Sequence, residues 1–254
     1  MGDSSLTTSP TASFAHTTMN VPVCSLIIYD IIDFIINTWS GDKMQKLKNI
    51  LRANLRWIVL FISIVSLLFL IEDVMDKDIM AFDEKGYSIV SNYLISDNMT
   101  LVAKCITFLG SAYWLIGLSA FLFAIIKDKN IPISVTINLA LSALLNITLK
   151  HILQRPRPVG HNIIDESGYS LPSGHSMVSM AFYGFIIYLI FKNVKNKCLR
   201  VVFITLLSIL IFSIGISRIY LGVHYASDVI VGFLVAISYL TIYSNFMKKY
   251  LNIK

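Results

Sequence analysis

Charged side chains are scarce in this chain. Only 14% of its 254 residues are Asp, Glu, Lys or Arg, whereas 56% are hydrophobic. Soluble domains carry charge at about 25% of their positions, because a charged surface keeps them in solution. The mean hydropathy of +0.70 therefore excludes an ordinary water-soluble domain and predicts an integral membrane protein.

Cysteine is also rare. The three cysteines, Cys24, Cys105 and Cys198, are too few and too scattered to form a disulfide scaffold, and we interpret them as small buried hydrophobic residues. The abundance of aliphatic and aromatic residues excludes disorder for all but the ends of the chain. Nucleic-acid binding, which the net charge of +6 suggests, is excluded because the basic residues flank apolar runs instead of forming one charged face.

Long uncharged apolar runs recur along the chain. Most approach the length of about 20 residues that a helix needs to cross the hydrocarbon core of a membrane. The runs show no alternation of polar and apolar residues, which favours helices over the strands of a barrel. The sequence predicts an all-α polytopic protein with six transmembrane helices, at 57–71, 105–126, 130–149, 176–191, 201–217 and 229–247.

The distribution of charge predicts the orientation of these helices. With six spans, both chain ends share one side with two of the loops, and this side carries 14 basic and 5 acidic residues. The other side carries 7 basic and 10 acidic residues. Because basic loops stay in the cytoplasm, we expect a multi-pass protein of the plasma membrane with both termini cytoplasmic.

Two segments lie outside the six runs. Residues 1–43 are predicted to be a poorly ordered tail that includes an interfacial amphipathic helix, and residues 44–254 the six-helix domain. The acidic segment 72–98 is most simply a solvated loop or a short surface helix on the outer side. The extra polar groups Asn138, Asn146 and Thr148 in the third run are expected to form hydrogen bonds between helices.

Apart from the charges that flank the apolar runs and set their orientation, the predicted outer face carries a small set of cationic and imidazole side chains. Lys150 and Arg157 follow the third run, and Arg218 ends the fifth. Ionisable groups at this depth are costly, so they commonly have a functional role. An ammonium group and two guanidinium groups are the donors that suit phosphate oxygens. A single basic residue at a helix end is more often an interfacial anchor, and Arg155 is interpreted in this way.

The remaining polar groups on this face suit phosphoryl transfer. Ser173 and Gly174 precede an apolar helix, whose first backbone N–H groups can bind an anion. His224 and Asp228 are four residues apart and share one helical face, so the carboxylate can orient the imidazole. His175 can serve as acid and then as base. This pattern predicts a phosphoryl-transfer site without evident metal ligands.

These residues resemble the signatures of the type 2 phosphatidic acid phosphatase superfamily, and its bacterial membrane members in particular. The family's three patterns are K-x6-R-P, P-S-G-H and S-R-x5-H-x3-D. All three occur in order, as Lys150 to Arg157-Pro158, Pro172 to His175, and Ser217-Arg218 to His224 and Asp228. The resemblance covers roughly residues 100–240, with Leu171 and Ala226 as small departures outside the catalytic positions.

The resemblance implies a role for each site residue. His224 would be the nucleophile that forms a phosphohistidine, Asp228 would orient it, and His175 would protonate the leaving oxygen and then activate water. The resemblance also implies a reaction that needs no metal or other cofactor, in a six-helix core with its active site at the extracytoplasmic face. The groups that would hold the phosphoryl oxygens are Lys150, Arg157, Ser173, Gly174 and Arg218.

The implied partners are membrane lipids, and the implied substrate is a lipid phosphate or diphosphate. We favour undecaprenyl diphosphate, with phosphatidylglycerophosphate, phosphatidic acid and lipid A as other candidates; the sequence leaves the oligomeric state open. A vanadium haloperoxidase has a similar site, but those enzymes are soluble. A transporter that moves phospholipid or phosphate through the same basic cavity is the alternative, although transport alone does not require a His–Asp pair.

Overall fold

The computed structural model describes residues 42–76, 80–94, 96–160 and 162–251. Within these ranges the backbone forms helices and no strands. The helices are α1 (Asp42–Met75), α2 (Met80–Leu94), α3 (Asp97–Phe108), α4 (Ala112–Ile125), α5 (Asn130–Leu153), α6 (Gly174–Asn193), α7 (Lys197–Tyr220) and α8 (Ala226–Tyr250). The predicted all-α class is confirmed.

Five of the described helices are long and apolar enough to cross a membrane, and α3 and α4 together supply a sixth span if the bent pair is counted as one. This agrees with the six predicted runs. The tail and amphipathic helix predicted in residues 1–43 lie almost wholly outside the described residues, which begin at Asp42.

The second predicted span is not one straight helix. The run 105–126 is divided between α3 and α4, which meet at an angle of 50°. Gly110 lies at the break, where a Cβ atom would come within 2.8 Å of Ile214 and Ser179. Ser111 then starts α4, because its side chain accepts a hydrogen bond from the N–H of Trp114. Hydropathy does not reveal such a break, because the run 105–126 has no charged residue on either side of it.

Helix α6 lies at the centre of the bundle and packs against α5, α7 and α8. Its side chains Met177, Phe182 and Phe185 are fully buried, whereas α7 exposes large apolar residues such as Leu206 and Phe212. The exposed apolar face of α7 is suited to lipid contact, since lipid chains are as apolar as leucine side chains. Cys105 and Cys198 are exposed, so their interpretation as buried residues was wrong.

The polar residues of α5 differ in their partners. Asn138 donates to the carbonyl of Ala181 in α6 at 2.7 Å, and Asn146 donates to the carbonyl of Pro172 at 3.3 Å. These two contacts reach beyond their own helix, as predicted. Thr148 instead donates to Leu144 in its own helix at 2.9 Å, because its exposed position places no other helix within reach.

The order of the helices brings several ends to one side of the bundle. The C-terminal ends of α5 and α7 lie beside the N-terminal ends of α6 and α8, as the contacts of Lys150, Arg157 and Ser173 described below require. At the opposite side, Arg56 lies near the start of the part of α1 that is apolar enough to span a membrane, Asn54–Met75, and donates to Asn245 near the end of α8 at 2.9 Å. The first and last described helices therefore begin and end on the side away from these junctions.

Helix α2 corrects the simple description of the acidic segment as solvated. It packs against α7 and α8, and its first turn buries Asp83. Hydropathy did not predict this contact, because Asp83 is followed on the same helix by the exposed charged residues Glu84 and Lys85.

Gly215 of α7 permits a close contact with α8. A Cβ atom at this position would lie 2.6 Å from Cζ of Phe233 and 2.9 Å from Cγ1 of Val229. We expect Gly215→Val to lower the free energy of unfolding by about 1–3 kcal/mol through overpacking, measured by thermal unfolding in detergent. Gly117→Val is the matched control, because nothing lies within 4 Å of a Cβ atom there. Equal stability of the two variants would contradict the expected clash.

Candidate active site

His224 and Asp228 lie at the junction of α7 and α8. The short connection turns at Gly222, whose φ of 69° favours glycine, and α8 starts at Ala226. Nδ1 of His224 lies 3.5 Å from Oδ2 of Asp228, and the exposed fractions of the two residues are 3% and 0%. The i, i+4 spacing therefore brings imidazole and carboxylate together in a buried position.

Three further donors hold the carboxylate of Asp228. Ser170 donates its hydroxyl to Oδ2, and the backbone N–H of Tyr225 donates to the same oxygen at 2.9 Å. Arg155 donates from Nη1 to Oδ1 at 2.6 Å. A buried carboxylate with these partners is stabilised in its charged form. Its orientation relative to His224 is fixed from both oxygens.

The other side of the His224 ring faces a guanidinium group. Nη1 of Arg157 lies 3.2 Å from Nε2 of His224. Because a guanidinium nitrogen can only donate, Nε2 is the acceptor in this contact. The ring proton of a neutral imidazole therefore belongs on Nδ1, which lies 3.2 Å from the Ser170 hydroxyl and 3.5 Å from Oδ2 of Asp228. Burial lowers the pKa of His224 to about 4, the hydrogen bond with Asp228 opposes this shift, and Arg218 and Arg157 add to it. The imidazole is therefore neutral at pH 7, with an unprotonated Nε2 that faces Arg157.

Backbone carbonyl groups position Arg157. Its side chain donates to the carbonyls of Gly168 at 3.0 Å, Ser167 at 3.0 Å and Val223 at 2.9 Å. These acceptors come from the 154–173 connection and from the turn that carries His224. The guanidinium group therefore depends on two segments that are distant in sequence, and both must be in place before it can face the imidazole.

Glu166 bridges Arg157 and Arg218. Its Oε2 atom lies 3.2 Å from Nη2 of Arg157, and its Oε1 atom pairs with Nη2 of Arg218. Nη1 of Arg218 donates to Thr107 of α3 at 2.7 Å, whereas its buried Nε atom has no hydrogen-bond partner among the described residues. Burial raises the pKa of Glu166, but Arg218 and the neighbouring cations outweigh burial and hold it below its usual value. A carboxylate thus occupies donors of the kind that suit a phosphoryl group.

The predicted P-S-G-H segment forms the start of α6. The backbone N–H of Ser173 donates to the carbonyl of Asp228 at 3.1 Å, which ties this segment to α8. A Cβ atom at Gly174 would lie 3.0 Å from Oδ1 of Asn146, so the glycine permits close approach to α5. His175 lines an apolar cavity of about 390 Å³ between α4, α5 and α6.

Lys150 completes the set at the end of α5. Its Nζ atom donates to the carbonyl of Tyr169 at 2.5 Å. Lys150 and His175 both interact electrostatically with Arg218 and Glu166. The structure therefore brings all eight sequence-predicted residues to one end of the bundle.

The protein can be placed among known families by the segment that contains these residues. Residues 132–251 match the family model of the PAP2 superfamily. PAP2 is the short name of the type 2 phosphatidic acid phosphatase superfamily, whose signatures the sequence resembles. This segment belongs to the PAP2 superfamily.

Two curated proteins are similar to part of this chain. Phosphatidylglycerophosphatase B of Bacillus subtilis is 40% identical over 92 residues, which cover 35% of this chain and 45% of that protein. Dolichyldiphosphatase of Saccharomyces cerevisiae is 36% identical over 107 residues, which cover 37% of this chain and 42% of that protein. The chain thus matches less than half the length of each of these curated relatives.

Two solved structures share the fold over a larger part of their length. A transmembrane PAP2-type phosphatidylglycerolphosphate phosphatase of Bacillus subtilis superposes with a TM-score of 0.68 at 26% identity, covering 75% of this chain and 96% of that one. LpxE of Aquifex aeolicus gives a TM-score of 0.52 at 26% identity, covering 63% and 92%.

The PAP2 signatures did not predict the buried position and the ion pairs of Arg155. We expected an interfacial anchor, but Arg155 is only 8% exposed and forms ion pairs with Asp83 at 2.7 Å and Asp228 at 2.6 Å. Its guanidinium also lies 4.1 Å from the ring centre of Tyr225. Burial lowers the pKa of Arg155, but Asp228 and Asp83 outweigh this and raise it above its ordinary value. Two buried carboxylates hold the side chain inside the protein instead of at the interface.

Sequence reasoning also missed Ser170, Glu166 and Asp83. Ser170 precedes the P-S-G-H signature by two residues, a position that its polarity alone does not distinguish. Among the described residues, no group of three or more His, Cys, Asp or Glu side chains is placed to hold a metal ion. In this part of the chain the acidic groups of the site are instead paired with arginine.

Proposed function

We propose that the protein is a membrane-embedded phosphatase that hydrolyses lipid phosphates or diphosphates through a phosphohistidine on His224, without a metal ion. The observation that carries this proposal is the buried His224 imidazole, held by Asp228 on one side and faced by Arg157 on the other. The PAP2 relationship and the lipid phosphatases among the relatives support the same reaction.

In the first step, Nε2 of His224 attacks the phosphorus atom. A phosphorus–nitrogen bond forms while the bond to the ester or diphosphate oxygen breaks, and protonated His175 donates its proton to that leaving oxygen. Asp228 stabilises the positive charge that develops on the imidazole. The dephosphorylated lipid is the first product.

In the second step, water hydrolyses the phosphohistidine. His175 now accepts a proton from the water as its oxygen attacks phosphorus, and the phosphorus–nitrogen bond breaks to release inorganic phosphate. The cations Lys150, Arg157 and Arg218, with Ser173 and the N–H of Gly174, hold the phosphoryl oxygens in both steps. Glu166 must leave the two arginines when these oxygens bind.

The apolar cavity beside His175 supports a lipid as the substrate. Its wall includes Leu115, Ile116 and Leu139, and it begins at a residue of the proposed reaction centre. An acyl or prenyl chain can occupy such a cavity while the phosphate lies at the arginines. We favour undecaprenyl diphosphate, with phosphatidylglycerophosphate, phosphatidic acid and lipid A as the other candidate substrates.

The decisive experiment is phosphate release by purified protein in detergent. We expect inorganic phosphate from at least one member of a panel that contains these four lipids, and we expect EDTA to leave the rate unchanged. A transporter would move its substrate without breaking the bond to phosphate, so it would release no inorganic phosphate in this assay. Loss of activity in EDTA that Mg²⁺ restores would contradict the metal-free reaction, and absence of release from every lipid would contradict the phosphatase.

The proposed site faces the extracytoplasmic side of the plasma membrane, and both chain ends face the cytoplasm. Ser167 lies in the exposed part of the connection between α5 and α6. In a variant with Cys105 and Cys198 changed to alanine, we expect Ser167→Cys to react with a membrane-impermeant thiol reagent in intact cells. Cys24 serves as the internal reference, because the proposed orientation puts the segment before α1 in the cytoplasm, where the reagent should reach it only after lysis. Labelling of position 167 only after lysis would reverse the orientation.

A further inference from the structure

Asp83 reaches the candidate site from a helix outside the PAP2 signatures. It lies in the first turn of α2 and is 2% exposed. Its Oδ1 atom accepts the backbone N–H of Ser227 at 2.8 Å, and its Oδ2 atom accepts the hydroxyl of Ser227 at 2.8 Å. Oδ2 also accepts Nη2 of Arg155 at 2.7 Å. These contacts attach α2 to the first turn of α8, next to Asp228.

Arg155 connects the two carboxylates. Its Nη2 atom donates to Asp83, and its Nη1 atom donates to both Asp228 and Ser227. All four side chains are buried. Each terminal nitrogen of the guanidinium group therefore serves a different carboxylate, and the orientation of Arg155 depends on Asp83 as well as on Asp228.

We propose that Asp83 is a positioning residue for the reaction, which acts through Arg155 on the carboxylate that faces His224. The inference rests on the proposed phosphohistidine chemistry. Asp83 touches neither the substrate nor His224. It holds the guanidinium group in the plane that meets Asp228 and balances the charge of that group, so that Asp228 keeps its full effect on the imidazole.

The charge balance of the three groups gives the direction of the effect. Asp83, Arg155 and Asp228 together carry one net negative charge near the imidazole. Without the charge of Asp83 this sum is zero, and the positive charge that develops on His224 during attack is less stabilised. The buried surroundings strengthen such interactions compared with water.

Other charged groups around His224 stay the same in this comparison. Arg157 comes from the α5–α6 connection, Arg218 from the end of α7 and His175 from the start of α6, while Glu166 pairs with both arginines. Lys150 lies at the end of α5, within electrostatic range of Asp228. Tyr225 precedes α8 and lies beneath the Arg155 guanidinium group.

The test compares Asp83→Asn with Glu84→Gln. Glu84 follows Asp83 on α2 but is exposed, so its substitution removes the same charge from the same helix without touching Arg155. We expect Asp83→Asn to lower kcat for lipid phosphate hydrolysis about 10-fold, with KM changed less than about 2-fold because no phosphate-binding group is altered. We expect Glu84→Gln to behave as the unaltered protein.

Titration of His224 separates positioning from a merely structural contribution. The ¹⁵N chemical shifts of its ring, assigned with a His224→Gln sample, report its protonation in the full chain in detergent. We expect the midpoint to fall in Asp83→Asn, to rise in Arg155→Met, and to return toward the original value in the double variant, whose net charge at the three positions is again −1. Arg155→Lys keeps the charge but cannot donate to both carboxylates from separate nitrogens. The kcat of this variant should therefore fall, while the titration midpoint of His224 should stay unchanged.

The outcomes distinguish the two proposals. A lowered midpoint in Asp83→Asn together with its loss of kcat supports the positioning role. An unchanged midpoint, or a kcat loss that adds independently to that of Arg155→Met, overturns it. If the unaltered protein hydrolyses no lipid phosphate, the proposed function fails. The order of the His224 titration midpoints in the three variants then decides whether Asp83 acts on His224 through Arg155. If Asp83→Asn does not fold, Arg155→Lys decides, and unchanged kcat in that variant overturns the proposal.

Discussion

Replacing His224 by alanine should lower phosphate release about 10⁴-fold or more while the protein still inserts and folds in the membrane. Nε2 of His224 would form the bond to phosphorus, and no other described side chain presents a neutral imidazole between Asp228 and Arg157. The loss should appear in kcat. The measurement is phosphate release from a lipid phosphate at saturating concentration.

His151→Ala is the matched control for this variant. His151 is exposed and lies at the end of α5, beside Tyr169. Its removal should leave the rate within about 2-fold, since surface substitutions have small effects. Phosphate release by His224→Ala at the control rate would contradict the nucleophile assignment. The folded state of both variants can be compared by size-exclusion chromatography in detergent and by thermal unfolding.

Replacing His175 by alanine should have the second largest effect, and it should depend on the leaving group. The lipid alcohol of a phosphate monoester leaves as an alkoxide unless its oxygen is protonated. Loss of the proposed acid should therefore slow the first step by about 10²–10⁴-fold. p-Nitrophenyl phosphate has a leaving group that needs little protonation. Attack by His224 on this substrate should therefore continue in the variant.

The second step should then limit turnover of p-nitrophenyl phosphate, because His175 would also activate the water. We expect a burst of about one nitrophenolate per protein molecule, followed by slow turnover, and a trapped phosphohistidine that survives base and is lost in acid. His224→Ala in the same assay should show no burst. Equal rate losses for both substrates without a burst would contradict the assignment of both proton transfers to His175.

Hydropathy and motif spacing predicted the main features of this protein because they depend on local patterns. The apolar runs predicted the spans, since length and composition determine whether a helix can cross a membrane. The helical repeat predicted the pairing of His224 with Asp228, although His224 itself lies in the turn just before α8. The bend at Gly110 was missed because hydropathy says nothing about its close neighbours Ile214 and Ser179, which lie on other helices.

The remaining site residues depend on contacts between distant parts of the chain. Asp83 and Arg155 are 72 residues apart, and neither has a spacing that connects it to Asp228. Glu166 and Ser170 lie in an irregular connection, where no periodicity predicts the direction of a side chain. Polarity alone does not separate such residues from solvated ones, so their burial could be seen only in the folded chain.

The bridge that Glu166 makes between Arg157 and Arg218 has a consequence for product release. A phosphate group that binds to these arginines must displace the Glu166 carboxylate. Its affinity for the site should therefore be lowered by the free energy of the ion pairs that it replaces. A lipid phosphate can offset this cost by burying its chain in the cavity beside His175. Inorganic phosphate has no chain to offset this cost, so we expect the Glu166 carboxylate to displace it from the two arginines and product inhibition to be weak.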